Sequence, residues 1–311
     1  MRKFRSALAV LTAATLSMAL MTGCSSDSSS SEETEASSDA ADAEESVDSS
    51  ADDAEADSDT EYAEDVQAII DRGVLHVGVK NAVPGFGYQD TLTGEYTGME
   101  IDLAQMIADY LGVEVEYTAV TAATRTELLD SGDIDCVLAT FTITDERKES
   151  WDFSTPYYTD YITVLVEDSS GITSLADLVD TTVGVSSGST SAKSLVSAMI
   201  DGGYISGDNF DADTFDPSTW TEGISFQQYD DYPTISTALS AGEVDAFCVD
   251  KSILAIYNTD GRSYIDEEFA AQDYGVATTK DSGLSELVDD LVNEWLEDGT
   301  IQGLIDDYGL N

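Results

Sequence analysis

The sequence predicts an α/β fold with mainly parallel sheets, and three observations lead there. From about residue 65 onward, strand-like and helix-like segments alternate. Several of the strand-like segments are continuous apolar runs, the pattern of strands covered on both faces. One helix–turn–strand unit also occurs twice, as "LLDSGDIDCVLAT" (128–140) and "ALSAGEVDAFCVD" (238–250). Leu129 to Thr140 and Leu239 to Asp250 have the same spacing. The echo predicts two lobes, each built on a similar unit; a chance likeness between two common units is the alternative.

The elements follow in order. "VLHVGV" (74–79) reads as a strand. "EIDLAQMIADYLG" (100–112) has apolar residues at Leu103, Met106, Ile107, Tyr110 and Leu111, which is helical spacing, and Gly112 ends it. "VEVEYTAV" (113–120) alternates Val113, Val115 and Tyr117, which is strand spacing. "DIDCVLAT" (133–140) and "VDAFCV" (244–249) are runs of buried-strand length. Cys136 and Cys248 lie inside these two runs and read as separate buried thiols, although an exported protein can also form a disulfide. In "GVSSGSTSAKSL" (184–195) a strand enters a Ser/Gly/Thr loop and then a helix. Helix N-termini attract anions, so Ser189, Thr190 and Ser191 suit a carboxylate as well as a phosphate; plain capping is the alternative. The Gly-Lys pattern of a nucleotide-binding loop is absent. Open α/β sheets bind ligands at the carboxyl ends of their strands, where Thr140 and Asp250 stand in the two units.

The N-terminus has the layout of a secretory signal. A basic head (Arg2, Lys3, Arg5) is followed by an apolar stretch and small residues before Cys24. The apolar run is short for a membrane span. Residues 25–64 are nearly all Ser, Asp, Glu, Ala and Thr, a composition that cannot form a core and is expected to be a disordered tether. The 311 residues carry 63 acids against 12 bases. The remainder from Asp65 on still has 47 acids against 9 bases, which speaks against nucleic acid or an anionic membrane surface as a partner.

In so acidic a chain each cation is informative. Lys80 directly follows the 74–79 strand, Arg125 opens a helix after the 113–120 strand, and Arg147 follows the 133–140 strand. A cation beside a strand end can mark the one place where an anion is welcome, and an arginine can grip a carboxylate with two parallel hydrogen bonds. Asp250, at the matching strand end, can receive an ammonium group. A ligand with both groups is an amino acid. The plainer readings are a solvated loop for Lys80, an exposed helix position for Arg125 and a charged helix start for Arg147. Lys148, Lys251 and Lys280 read as surface residues, His76 as core or edge, and Trp151, Trp220 and Trp295 as packing. No nucleophile–base pair or metal cluster stands out, so no enzyme activity and no cofactor are expected.

Four stretches together resemble the solute-binding proteins of amino acid ABC importers, family 3. They are "GMEIDLAQMIADYLG" (98–112), "ATFTITDERKESWDFSTPYY" (139–158), "SAGEVDAFCVDKSILAIY" (240–257) and "QDYGVATTKD" (272–281), in the family's order. The resemblance runs from about Gly73 to Leu310. It implies a periplasmic-binding-protein-like type II fold, two α/β lobes joined by a two-segment hinge. Lobe 1 would comprise residues 65–158 and 270–311, lobe 2 residues 159–269, and the hinge crossings would lie near 158–166 and 269–274. Cys24 sits where a bacterial lipobox has its lipid-modified cysteine, with residues 1–23 as the signal peptide. That implies anchoring to the outer face of the cytoplasmic membrane, an extracytoplasmic monomer, and a permease as partner.

Site roles carry over by position. Arg147 matches the arginine that holds the ligand α-carboxylate, and Thr142 with the backbone of Thr140 matches the hydrogen-bonding threonine segment. Thr190 matches the helix N-terminal donor of lobe 2, and Asp250 the acid that takes the α-ammonium. Lys80 in "GVKNAVPGFGY" (78–88) stands where several relatives with polar or basic ligands have Asp, while Arg125 in "TAATRTELL" (121–129) and Tyr232 in "DDYPTISTAL" (230–239) resemble the subgroup that binds acidic amino acids. Glutamate or aspartate is therefore expected, with Lys80 and Arg125 on the side-chain carboxylate. A neutral or other polar amino acid, or a ligand-sensing receptor role, are the alternatives. Residues 207–226 form an acidic insertion with no family role.

Overall fold

The computed structural model describes residues 62–311, so the expected signal, Cys24 and nearly all of the tether lie outside the described residues. The described chain opens with α1 (Glu64–Arg72) and β1 (Val74–Val79). A small antiparallel sheet follows, made of β2 (Ala82–Val83), β3 (Gly87–Gln89) and β4 (Tyr96–Thr97). Next come α2 (Met99–Leu111), β5 (Glu114–Ala119), α3 (Thr124–Ser131), β6 (Cys136–Leu138), α4 (Asp145–Lys148) and β7 (Trp151–Phe153). The long β8 (Tyr158–Glu167) leads into β9 (Thr182–Ser186), α5 (Ser191–Asp201), β10 (Ser225–Tyr229), α6 (Tyr232–Ala241) and β11 (Ala246–Asp250). α7 (Lys251–Leu254), β12 (Arg262–Tyr264), β13 (Phe269–Tyr274), β14 (Ala277–Thr279), α8 (Gly283–Glu297) and α9 (Thr300–Asp307) complete it.

Two main sheets define two α/β lobes. The first has the order β5-β1-β6-β14-β7, and the second β10-β9-β11-β8-β12, with β13 also pairing β8. Each begins with three parallel strands and ends with antiparallel ones, so the sheets are mixed rather than mainly parallel. The hinge is the antiparallel pair β8 and β13, running from Tyr158 opposite Tyr274 to Ile162 opposite Phe269. The pair is interrupted by a bulge between Phe269 and Ala271, with Ala270 in the left-handed region at φ 50°. Thr142 also bridges to Tyr274, which ties the segment after β6 to the hinge.

The local reasons are simple. α2 buries Met99, Leu103, Ala104, Ile107 and Leu111 at helical spacing, and Gly112 (φ 68°) ends it with its N–H on the Ala108 carbonyl. Tyr110, counted with the apolar face from its spacing, is exposed at the edge of that stripe. β5 is an edge strand that turns Glu114 and Glu116 outward while Val115 and Tyr117 lie half-buried. β1 and β11 are core strands, as their apolar runs require. Cys136 and Cys248 are buried free thiols on β6 and β11, one in each main sheet. In the 207–226 insertion, Phe210, Phe215, Trp220 and Phe226 pack ring to ring at 5.6–6.3 Å and join the second lobe's core. Four aromatics thus let an acidic segment fold onto the lobe.

Candidate functional site

Strand ends from both lobes bring the eight expected ligand residues to one place. Lys80 follows β1, Thr140 and Thr142 follow β6, Arg125 lies in the first turn of α3, and Arg147 lies in α4. From the second lobe come Thr190 at the start of α5, Tyr232 at the start of α6, and Asp250 at the end of β11. Lys80 and Arg125 are each only 3 % exposed, which removes the solvated-loop and exposed-helix alternatives.

The cations are held by neutral partners. Arg125 donates from Nη1 to the carbonyls of Ala139 (2.9 Å) and Thr140 (3.2 Å). Arg147 donates from Nη1 to the Thr142 carbonyl (2.6 Å) and from Nη2 to the Gly188 carbonyl of the other lobe (3.0 Å). Both guanidinium groups lie over the Phe141 ring, at 3.8 and 4.7 Å from its centroid. Lys80 Nζ stands 5.3 Å from the centre of the Tyr232 ring across the cleft. The helix-start alternative for Arg147 also holds in part, since Thr144 caps α4 by accepting the Arg147 N–H at 3.1 Å.

The pattern of ion pairs sharpens this. Among the described residues, Arg72, Lys193, Lys251, Arg262 and Lys280 each pair with a carboxylate. Lys148 is exposed. The three cations left over are Lys80, Arg125 and Arg147, which meet at the cleft. In a domain this acidic, leaving three cations without an ion pair, with Glu100 and Asp250 the nearby acids, leaves a local positive centre. Its cost shows in the proton affinities. Burial, then the like charge of Arg125, pulls the Lys80 amine down to about 7. Burial pulls Arg125 down to about 10.

Asp250 faces this centre from the second lobe. Burial first, then the negative charge of Asp160, pushes its carboxyl up to about 7. Among the described residues, six buried side-chain polar atoms have no hydrogen-bond partner, and four belong to this cluster: Glu100 Oε2, Arg125 Nε, Thr140 Oγ1 and Asp250 Oδ1. Unpaired buried polar groups are costly, so their concentration marks a place built to meet polar atoms from outside the chain. Thr140 adds backbone strain, sitting in the left-handed region at φ 46°, which a β-branched residue rarely adopts.

Several supporting residues were missed from sequence. Glu100, fully buried, accepts from the Thr140 N–H and the Tyr157 hydroxyl, both at 2.6 Å, and so holds the strained Thr140. Burial raises its proton affinity. Its signal was an acid directly after the helix-opening Met99, between apolar residues. Asp160, on hinge strand β8, accepts from the Ser252 N–H (3.2 Å) and hydroxyl, from the Tyr161 N–H (2.7 Å) and from the Tyr274 hydroxyl (3.3 Å). It braces α7, which begins just after Asp250. Phe141, the platform under both arginines, stood unremarked between Thr140 and Thr142. Thr190 uses its hydroxyl on the Gln272 side chain (2.6 Å) rather than as a helix cap.

Cavities border the cluster on two sides. One of about 340 Å³ is lined by Phe141, Arg147, Ser189, Thr190, Lys193 and Phe215, the last from the insertion. A smaller one lies between Lys80, Val120, Ser186 and Tyr232. A third, about 840 Å³, runs along the hinge strands past Tyr158, Asp160 and Tyr264 and includes none of the eight expected residues. The chemistry of the cluster, rather than cavity size, singles it out as the candidate site.

Residues 75–311 match the family model for bacterial extracellular solute-binding proteins, family 3, and the chain belongs to that family. It is 32 % identical over 240 residues to the L-cystine-binding protein TcyJ of Escherichia coli (strain K12), covering 75 % of this chain and 82 % of that one. It is 32 % identical over 223 residues to a glutamine-binding protein of Geobacillus stearothermophilus, covering 70 % and 77 %. It is 27 % identical over 262 residues to the glutamate-binding protein GluB of Corynebacterium efficiens, covering 78 % and 81 %. Among solved structures, it is similar to an amino acid ABC transporter substrate-binding protein, AbpA, from Streptococcus pneumoniae bound to L-arginine. There the TM-score is 0.65 and the identity 28 %, over 78 % of this chain and 97 % of that one. The fold is that of the type II periplasmic amino-acid-binding proteins, and the role is that of an ABC-transporter substrate-binding protein for an amino acid.

Proposed function

We propose that this chain captures glutamate or aspartate in the cleft between its lobes and delivers it to a permease in the membrane. The observation that carries this reading is the set of three cations left without an ion pair, facing Asp250 across the cleft. In this reading Arg147, with Thr142 and the Thr140 backbone, takes the α-carboxylate. Asp250 takes the α-ammonium, Thr190 contributes from the start of α5, and Tyr232 walls the pocket. Lys80 and Arg125 meet the second carboxylate. A second carboxylate in a shut cleft must be paired, because an unpaired buried charge is very costly. The glutamate-binding relative supports the acidic ligand, whereas the relatives that bind cystine and glutamine favour a different one.

The mechanism is capture without chemistry. The ligand touches both lobes, with lobe boundaries at residues 65–158 plus 270–311 and 159–269. It therefore stabilises the shut form by its differential affinity for shut over open. A lipid on Cys24 would keep the monomer at the outer face of the cytoplasmic membrane. Among the described residues no helix is long and apolar enough to cross a membrane.

Titration calorimetry on the full chain, stripped of carried ligand by unfolding and refolding, tests the assignment. The panel is glutamate, aspartate, glutamine, cystine, arginine and histidine. Micromolar affinity, about 8 kcal/mol, is expected for glutamate or aspartate. Arg125→Ala should weaken glutamate far more than glutamine. Tight binding of a neutral or basic amino acid with no binding of either acid would sink the roles given to Lys80 and Arg125.

A further inference from the structure

The hinge strand β13 carries one polar side chain that reaches both lobes. Gln272 is 3 % exposed. Its Nε2 donates to the carbonyls of Ala270 (2.9 Å) and Ala271 (3.1 Å), the two carbonyls turned inward by the bulge. Carbonyls only accept, so this fixes which way the amide faces. Oε1 then points the other way and accepts from the Thr142 hydroxyl (2.8 Å) of the first lobe and the Thr190 hydroxyl (2.6 Å) of the second. Arg147 closes a ring around this centre. It donates to the Thr142 carbonyl in its own lobe and to the Gly188 carbonyl, two residues before Thr190, in the other.

We propose that Gln272 is a positioning residue for lobe closure: its one oxygen holds a threonine from each lobe at the same time, so the hinge fastens the cleft only when the lobes have met. This rests on reading the cleft as the ligand site. The argument is geometric. Thr142 is tied to β13 by its bridge to Tyr274, so its bond to Gln272 survives movement of the second lobe. Thr190 starts α5, which packs on β9 and β11 of the second lobe's sheet and against β13 itself, so its bond to Gln272 ties that lobe to the hinge. The strained Ala270 and the bulge exist at the place where Gln272 needs two carbonyls for its amide. A ligand held by Arg147 and the start of α5 and the Gln272 bond therefore favour the same conformation. Gln272 contributes to affinity without touching the ligand, and its contribution falls on dissociation, since only the shut form has the bond.

The test uses the full chain with Gln272→Met, which keeps the volume, Thr190→Val, which removes one hydroxyl, and the double variant. Hydrogen exchange is followed in the ligand-free protein at residues 140–143 and 187–191, one segment from each lobe. Ligand dissociation is followed by stopped flow, with glutamate as the probe. Gln272→Met should raise exchange in both segments and speed dissociation about tenfold, with association unchanged. The two changes share only the Thr190–Gln272 bond, so the double variant should dissociate more slowly than the product of the two single effects. Exchange raised only at residues 269–274 would show a purely local packing role and overturn the proposal. So would dissociation rates that multiply in the double variant. If glutamate does not bind at all, the acidic-ligand reading fails while the exchange arm still decides on closure.

Discussion

Gly78 on β1 lies opposite Val137 on β6, and Gly184 on β9 lies opposite Phe247 on β11. A Cβ on Gly78 would come within 2.6 Å of Ile134 Cδ1, and on Gly184 within 2.6 Å of Ile235 Cγ2. Asp135 accepts the His76 N–H at 2.8 Å and returns its own N–H to the His76 carbonyl at 2.8 Å; Asp245 does the same with Thr182, at the same two distances. Gly132 and Gly242, which end the preceding helices, both take the left-handed conformation at φ 75° and 69°. The two lobes are thus one packing solution made twice. Two residues past Gly78 and Gly184, and eight past Gly132 and Gly242, the likeness stops. The first lobe places Lys80 where the second has Ser186, and Thr140 where the second has Asp250. Where side chains pack the sheet, both lobes need the same shapes. Where strands end at the cleft, no packing demand remains, and the lobes are free to carry opposite charge.

The largest way to break the comparison is to remove the first lobe's charge. Arg147→Ala should weaken ligand binding by about 3 kcal/mol, at least 100-fold, since truncating one partner of a buried charged contact costs about 2–5 kcal/mol. Calorimetry reads this directly. Next, the second lobe's acid can be titrated. The Asp250 carboxyl is held up at about 7, and only the carboxylate attracts an ammonium. Glutamate affinity should therefore fall below about pH 7 as Asp250 takes up a proton, and fall again above it as the Lys80 amine loses one, by up to about tenfold per unit on each side. Asp250→Asn should bind weakly throughout and lose the acid limb, while Lys80→Met loses the alkaline one.

Matched changes sharpen the likeness. Gly78→Ala and Gly184→Ala should each destabilise the fold, by about 1–3 kcal/mol and by similar amounts, as overpacking does. Thermal unfolding checks the pair. Lys80→Met should weaken acidic ligands yet stabilise the ligand-free protein by on the order of 1 kcal/mol or more. The folded Lys80 amine sits near 7, below its ordinary 10.5, so the unfolded chain binds the extra proton between those values. The burial cost is thus fully present below about pH 7 and fades as pH rises toward 10.5. The stability gap between Lys80→Met and the parent should close over that window. Smallest, Asp135→Ala and Asp245→Ala should each cost about 1 kcal/mol, the worth of a typical hydrogen bond.

The sequence made the chassis legible because packing repeats itself: the spacing that relates Leu129–Thr140 to Leu239–Asp250 became β6 and β11, third in each sheet. It also showed the primary charges, because cations are scarce in this chain. The second layer was not visible. Glu100 and Asp160 are two acids among 63, and only three-dimensional contact separates them from solvated neighbours. Gln272 reaches Thr142 across 130 positions and Thr190 across 82, a distance no local pattern spans. The sheets were expected to be mainly parallel, but hinge strand β8 enters the second antiparallel, and β14, reached after the chain returns through β13, enters the first antiparallel. The insertion's role in packing was hidden because its four aromatics are scattered among acids.

The most direct test of opposite charge on a shared chassis is a crystal structure of the full chain with glutamate bound. The account predicts the α-carboxylate on Arg147, the α-ammonium on Asp250, and the second carboxylate between Lys80 and Arg125. A glutamate whose ammonium lies away from Asp250, or whose second carboxylate avoids both Lys80 and Arg125, would contradict it.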